Sequence, residues 1–253
     1  MRVFALSDIH VDYDVNGHWV RDLSPSEFVD DILILAGDVS DSVARLRFCI
    51  ETLARKFRRV LCIPGNHDLW VIRDRKSKTS LDKFAEVMRI ATESGASMER
   101  FAYDGLSIIP LRGWYDYSFG VPSEALRSAW MDFHACRWPE GFEAADVAAH
   151  FAGLNDLSTP ASDGMVITFS HFLPRIDVMP GAIPSERRWL FPVLGTTRLD
   201  MQLRTLGAKL HIYGHSHLQR RVQLDGVTYV NNAFGYPHET WITSRGLLCV
   251  HES

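Results

Sequence analysis

Three short apolar runs occupy the first 63 residues: 2–7, 31–36 and 60–63. Apolar runs of this length, bounded by turn-forming residues, read as strands buried on both faces. The second and third are separated by a helical segment over about 42–58, with Val43, Leu46, Ile50, Leu53 and Phe57 on one stripe. Strand, helix and strand at this spacing imply parallel pairing through right-handed crossovers, and so an α/β fold. The basic end of that helix, Arg55-Lys56-Phe57-Arg58-Arg59, suits the negative end of a helix dipole better than a nucleic-acid patch.

What ends each strand is more specific. The first runs into Asp8-Ile9-His10, the second into Gly37-Asp38-Val39-Ser40-Asp41, and the third into Gly65-Asn66-His67-Asp68. Further along, a strand over 165–169 ends at Ser170-His171, and one over 209–213 ends at Gly214-His215-Ser216-His217. Ligands of α/β sheets collect outside the carboxyl ends of the strands, so these groups face one crevice. Alternation along an extended segment predicts that Asp8 and His10, like His215 and His217, point the same way. Carboxylate oxygen with imidazole nitrogen suits Mn, Fe, Zn, Co or Ni. Seven candidate ligands, Asp8, His10, Asp38, Asn66, His171, His215 and His217, are too many for one tetrahedral ion and suit two ions sharing a carboxylate.

The rest of the chain completes a single domain over 1–253. A second helix is expected over about 81–93. Residues 101–160 read as a cap-like insertion: after a strand at 106–110 come Trp114, Tyr115, Tyr117, Phe119, Trp130, Phe133 and Trp138, with helices near 123–135 and 143–157. Beyond 164 the pattern is β, with a hairpin turned by Asp225-Gly226 and a last strand near 246–250. A net charge of −4 offers no basic platform for nucleic acid. The four cysteines lack CxxC spacing, which speaks against a disulfide framework and for a reducing, cytoplasmic setting. No run reaches the length of a membrane span, and residues 1–7 are too short for a signal peptide.

The ordered set DxH, GDxxD, GNHD, a separate His and GHxH, spanning residues 8–217, resembles the calcineurin-like metallophosphoesterases. The resemblance implies a four-layer α/β/β/α sandwich with a two-metal site. It implies that Asp8, His10 and His217 hold one ion, that Asn66, His171 and His215 hold the other, and that Asp38 bridges them together with a water or hydroxide. His67, protonated and oriented by Asp41, would donate to the leaving group. Ser42 stands where protein Ser/Thr phosphatases of this superfamily carry arginine, which weakens a protein-phosphatase reading.

The expected activity is hydrolysis of a small phosphorylated substrate by in-line attack on phosphorus. The rival readings are a nuclease and, in another class, a non-catalytic metal-binding scaffold. Selectivity is expected from loops: Arg112, Trp114 and Tyr115 of the insertion, and Tyr236 of the 231–239 stretch, are the candidate substrate-binding residues.

Overall fold

The computed structural model describes residues 1–73, 79–159 and 164–252. The strands are β1 (Arg2–Leu6), β2 (Ile32–Ala36), β3 (Arg59–Ile63), β4 (Ala96–Ser97), β5 (Phe101–Tyr103), β6 (Leu106–Pro110), β7 (Met165–Phe169), β8 (Leu210–Tyr213), β9 (Arg220–Leu224), β10 (Val227–Asn231) and β11 (Leu248–Glu252). The helices are α1 (Asp14–Asp22), α2 (Val43–Ala54), α3 (Ser80–Glu93), α4 (Glu124–Ala129), α5 (Asp132–Ala135), α6 (Ala144–Gly153) and α7 (Thr197–Thr205). They build a five-stranded sheet in the order β11-β1-β2-β3-β4 and a six-stranded sheet in the order β5-β6-β7-β8-β10-β9. β1, β2, β3 and β4 pair in parallel, as do β6, β7, β8 and β10.

Side-chain alternation divides the interior into three cores. Val3, Ala5, Ile32, Ile34 and Leu61 of the first sheet meet Ile108, Ile167, Phe169 and Ile212 of the second. The opposite face of the first sheet, with Phe4, Leu6, Leu33 and Leu35, packs on α2 and α3 through Leu46, Ile50, Leu53, Val87 and Ile90. The outer face of the second sheet packs on α6 and α7 through Val147, Phe151, Leu199 and Leu203. Helix, sheet, sheet and helix therefore form the four layers.

Local signals explain most boundaries. α3 starts at a capping box in which Thr79 accepts from the Asp82 amide and Asp82 accepts from the Thr79 amide. The β9–β10 turn puts Asp225 at φ 48° and Gly226 at φ 83°, the pair of positive angles that an Asp-Gly hairpin needs. α1 forms although Asn16 and Gly17 are poor helix formers, because both are held in place by burial. α7 carries too few apolar positions to stand out in the sequence. Of residues 101–160, the first ten are β5, β6 and their turn in the six-stranded sheet, and the helix expected over 123–135 breaks at Trp130 into α4 and α5. Among the described residues no helix is long and apolar enough to cross a membrane.

Candidate metal centre

The ends of β1, β2, β3, β7 and β8 converge on one crevice, but not through strand alternation. Asp8, His10, Asp38, His215 and His217 all have positive φ, between 40° and 68°. Left-handed backbone at non-glycine residues costs of order 1–3 kcal/mol each and persists where surrounding structure enforces it. The paired ligands thus face one another through turned backbone, a correction to the extended-segment reading. The enforcing contacts are visible. His215 N donates to Asp8 Oδ1 (3.0 Å), and Asn16 Nδ2 donates to Ile9 O (2.8 Å) and Gly235 O (3.1 Å). Asp68 accepts from the amides of Asp38, Val39, Ser40 and Gly65, at 2.8–3.0 Å, which ties the second and third loops together. Gly65 is required by close approach, since a Cβ there would collide with Asp38 Oδ1.

Two sets of atoms that could hold a metal ion result. One atom each from Asp8, His10, Asp38 and His217 lies within 4.8 Å of the others, and the same holds for Asp38, His171 and His215. Asp38 belongs to both. Asn66 Oδ1 is 3.0 Å from His171 Nε2, which places it on the second set. His10 Nε2 lies 3.2 Å from His217 Nε2, and His171 Nε2 lies 3.2 Å from His215 Nδ1. Ligands held at ~2.0–2.2 Å from a first-row divalent ion stand about 3 Å from one another, so this spacing fits a cation in each set.

The charge argues the same way. Asp8 and Asp38 are 0% and 2% exposed, and among the described residues their ion-pair partners are histidines, with no Arg or Lys. Buried carboxylates without a compensating charge are costly. Burial, then the neighbouring carboxylates of Asp8 and Asp68, push the Asp38 carboxyl well above its usual range. Against the cost of burial, Asp8 and Glu239 raise His217 to about 10, so without a metal the site holds a proton there, beside an ionised Asp8. A divalent cation is the natural replacement for that proton.

His67 sits at the rim with its amide on Asp38 Oδ1 (2.9 Å), its ring stacked on Trp70 (centroids 3.7 Å apart) and its Nε2 3.4 Å from the Tyr236 hydroxyl. Two expectations about it need correction. Asp41 does not contact His67: its carboxylate is 3.5 Å from Arg73 Nε, and its carbonyl accepts from Lys83. Burial, followed by the charges of His171 and His217, pushes His67 down to about 3, so the ring is neutral at neutral pH.

Three of the expected substrate residues lie elsewhere. Arg112 is buried, donating to Met98 O (2.8 Å) and Glu99 Oε1 (3.2 Å). Trp114, 1% exposed, packs with Trp138, Phe151 and Phe172, and Tyr115, 2% exposed, packs with Trp114, Phe133 and Phe172, both in the outer core. Both follow directly on β6, and the chain there turns into the protein rather than toward the crevice. Tyr236 is at the crevice, its ring 4.5 Å from His10 and 4.9 Å from His217. Glu239 is a residue that sequence reasoning left without a role: it accepts from His217 Nδ1 at 2.6 Å and from the Tyr236 amide at 2.8 Å. A cavity of about 630 Å³ opens beside the ligands, its far wall formed by Met179, Leu190, Phe191, Leu194 and Ile242.

Residues 1–219 match the calcineurin-like phosphoesterase family model. The chain belongs to the calcineurin-like phosphoesterase family. It is a metal-dependent phosphoester hydrolase of that family, whose members use a dinuclear divalent centre. The chain is 27% identical over 261 residues to the acyl-carrier-protein phosphodiesterase PptH of Mycobacterium tuberculosis, an alignment covering 94% of this chain and 78% of that protein. The crystal structure of the phosphopantetheinyl hydrolase PptH from the same organism superposes with a TM-score of 0.73 at 25% identity, covering 94% of this chain and 90% of that one.

Proposed function

We propose that this hydrolase is a phosphodiesterase that cleaves a phosphopantetheine arm from a carrier protein. The observation that carries the reading is the cavity beside the ligands. Its wall of Met179, Leu190, Phe191, Leu194 and Ile242 suits a long, mostly uncharged substituent, and Arg187 is the one Arg or Lys lining it among the described residues. A phosphodiester carries a second substituent on phosphorus, and this wall offers apolar surface for it. The likeness to a protein that bears the name phosphopantetheinyl hydrolase supports the same substrate class. The apolar wall is also unlike the basic groove that a nucleic acid requires.

In this reading Asp8, His10 and His217 would hold one ion, Asn66, His171 and His215 the other, and Asp38 both. Ions held there would supply Lewis-acid polarisation of the phosphoryl oxygens and a water of lowered pKa. The protein's own groups do the rest. Asp38 and Asp8 fix the spacing of the centre. His67, held against Trp70, and the Tyr236 hydroxyl form a donor pair that stabilises charge on the leaving oxygen by hydrogen bonding. The free thiols, with Cys49 and Cys62 buried, support a cytoplasmic setting.

The test is mass spectrometry of a phosphopantetheinylated carrier protein incubated with the Mn²⁺-loaded enzyme. Release of phosphopantetheine and recovery of the unmodified serine is expected. A carrier protein left intact by an enzyme that hydrolyses simple monoesters would overturn the reading and leave a small-molecule phosphatase.

A further inference from the structure

The segment between β6 and β7 contributes one group to the crevice that neither the motifs nor the mechanism above uses. Asp132, at the start of α5, is 2% exposed. Its Oδ1 accepts from Asn66 Nδ2 (2.8 Å) and Trp70 Nε1 (2.7 Å), and its Oδ2 accepts from Trp130 Nε1 (2.8 Å).

Each donor leads to the site. Trp70 is the ring on which His67 stacks. Trp130 lines the cavity and lies 5.7 Å, edge-on, from His215. Asn66 is the telling case. Both oxygens of Asp132 take N–H donors, so it presents an acceptor to Asn66, whereas an amide has a donating and an accepting end of almost the same shape. With Asp132 behind it, Asn66 must turn its NH₂ inward, and its Oδ1 then faces His171 Nε2 and the second ligand set. An amide rotated by half a turn would present NH₂, which cannot bind a cation.

We propose that Asp132 is a positioning residue for the dinuclear centre: it selects the oxygen of Asn66 as the ligand atom and, through Trp70, sets the face of His67. The inference rests on Asn66 being a ligand, which Asn66→Ala tests separately.

The experiment titrates the metal-free protein with Mn²⁺, reading affinity by calorimetry and the spin-coupled Mn²⁺ pair by electron paramagnetic resonance. Asp132→Asn should weaken the second equivalent by about 10–100-fold, the range for outer partners of metal ligands, and replace the coupled signal with that of isolated Mn²⁺. The first equivalent should be held as before. Adding Asn66→Asp to Asp132→Asn should restore the coupled pair, because a carboxylate offers oxygen in either orientation. A merely structural Asp132 would lower the melting temperature without this selective loss or this rescue. A folded Asp132→Asn that binds both equivalents within about threefold of wild type overturns the proposal. If Asp132→Asn does not melt cooperatively, Asp132→Ser takes its place. Failure of both to fold makes Asp132 a stability residue and also overturns it. Two ions retained by Asn66→Ala would remove its premise.

Discussion

Glu239 Oε2 lies 2.6 Å from His217 Nδ1, so the imidazole keeps its proton on that side and directs Nε2 toward His10 and Asp8. A carboxylate behind a ligating histidine fixes the tautomer and raises the basicity of the ligand nitrogen. Glu239→Gln should therefore lower metal affinity by about 10–100-fold, measured by titration of the metal-free protein, while the melting temperature of that form changes little. Unchanged affinity would reduce Glu239 to a brace for the Tyr236 amide.

Asp38 is common to both candidate ligand sets, so in the proposed centre its loss would remove a ligand from each ion. Asp38→Asn should fall from two bound ions to one or none by elemental analysis. Phosphodiesterase activity should drop by more than about 100-fold, beyond the usual effect of outer partners. Near-normal turnover with two bound ions would invalidate the bridging assignment.

The donor role of His67 is read through the leaving group. His67→Ala should slow hydrolysis of alkyl diesters by about 10²–10³-fold, the usual loss for one hydrogen-bond donor to developing charge, and that of nitrophenyl esters far less, since nitrophenolate needs little stabilisation. Tyr236→Phe should show a weaker form of the same split. Asp41→Asn should show none, because Asp41 faces Arg73 and not His67. Equal losses on both substrate types for His67→Ala would leave it a positioning role only.

Trp114 and Arg112 belong to the stability of the molecule. Trp114→Ala empties a site packed by Trp138, Phe151 and Phe172 and should cost about 3–5 kcal/mol, a fall of roughly 6–20 °C in melting temperature. KM for the best substrate should barely move in protein that remains folded. A kinetic defect without thermal destabilisation would return Trp114 to the substrate wall.

His211 predicts a pH dependence that is independent of the metal. Burial pushes it down to about 3. The Ser170 hydroxyl donates to Phe172 O, so Ser170 Oγ accepts from His211 Nε2–H, and Nδ1 accepts from Thr168. Between about pH 6.5 and 3 the unfolded chain binds a proton there that the folded protein refuses. Stability is thus lost as pH falls, at up to about 1.4 kcal/mol per unit from this group. Ring-nitrogen spectra should retain the neutral Nε2–H form to about pH 4.5. Protonation near pH 6 would contradict the burial argument.

The contrast between Asn66 and Arg112 shows what a sequence of this kind reveals. Asn66, like the other metal-ligand candidates, follows directly on a strand end, and parallel topology brings such ends together before any side chain is placed. Arg112 and Trp114 follow β6 just as closely, yet they point into the protein, because the direction of a chain leaving a sheet depends on what packs over it. Asp41 sits three residues from Asp38 in a motif whose loop turns it toward Arg73 instead. Glu239 and Asp132 had no visible pattern: each reaches its partner through tertiary folding alone. The helices split in the same way. α2 and α3 carry broad apolar stripes, while α1 is held by the buried amide of Asn16, a contact with no periodicity.

β1 lies between β2 and β11, and the loop after it is stitched to the far end of the chain. Phe234 N donates to Ser7 O, Gly235 N donates to Asp8 O, and Asn232 Nδ2 donates to Ala5 O. β1 is therefore paired on one side by β11, the last of the described strands. During synthesis Asp8 and His10 emerge early, but the backbone that bends them into shape arrives more than two hundred residues later. At ~5–20 residues per second that is a wait of roughly 10–50 s. Until residues 232–235 are available the first strand is half-paired and the loop that carries Asp8 and His10 lacks its brace, so the cradle for an ion is completed by the late part of the chain.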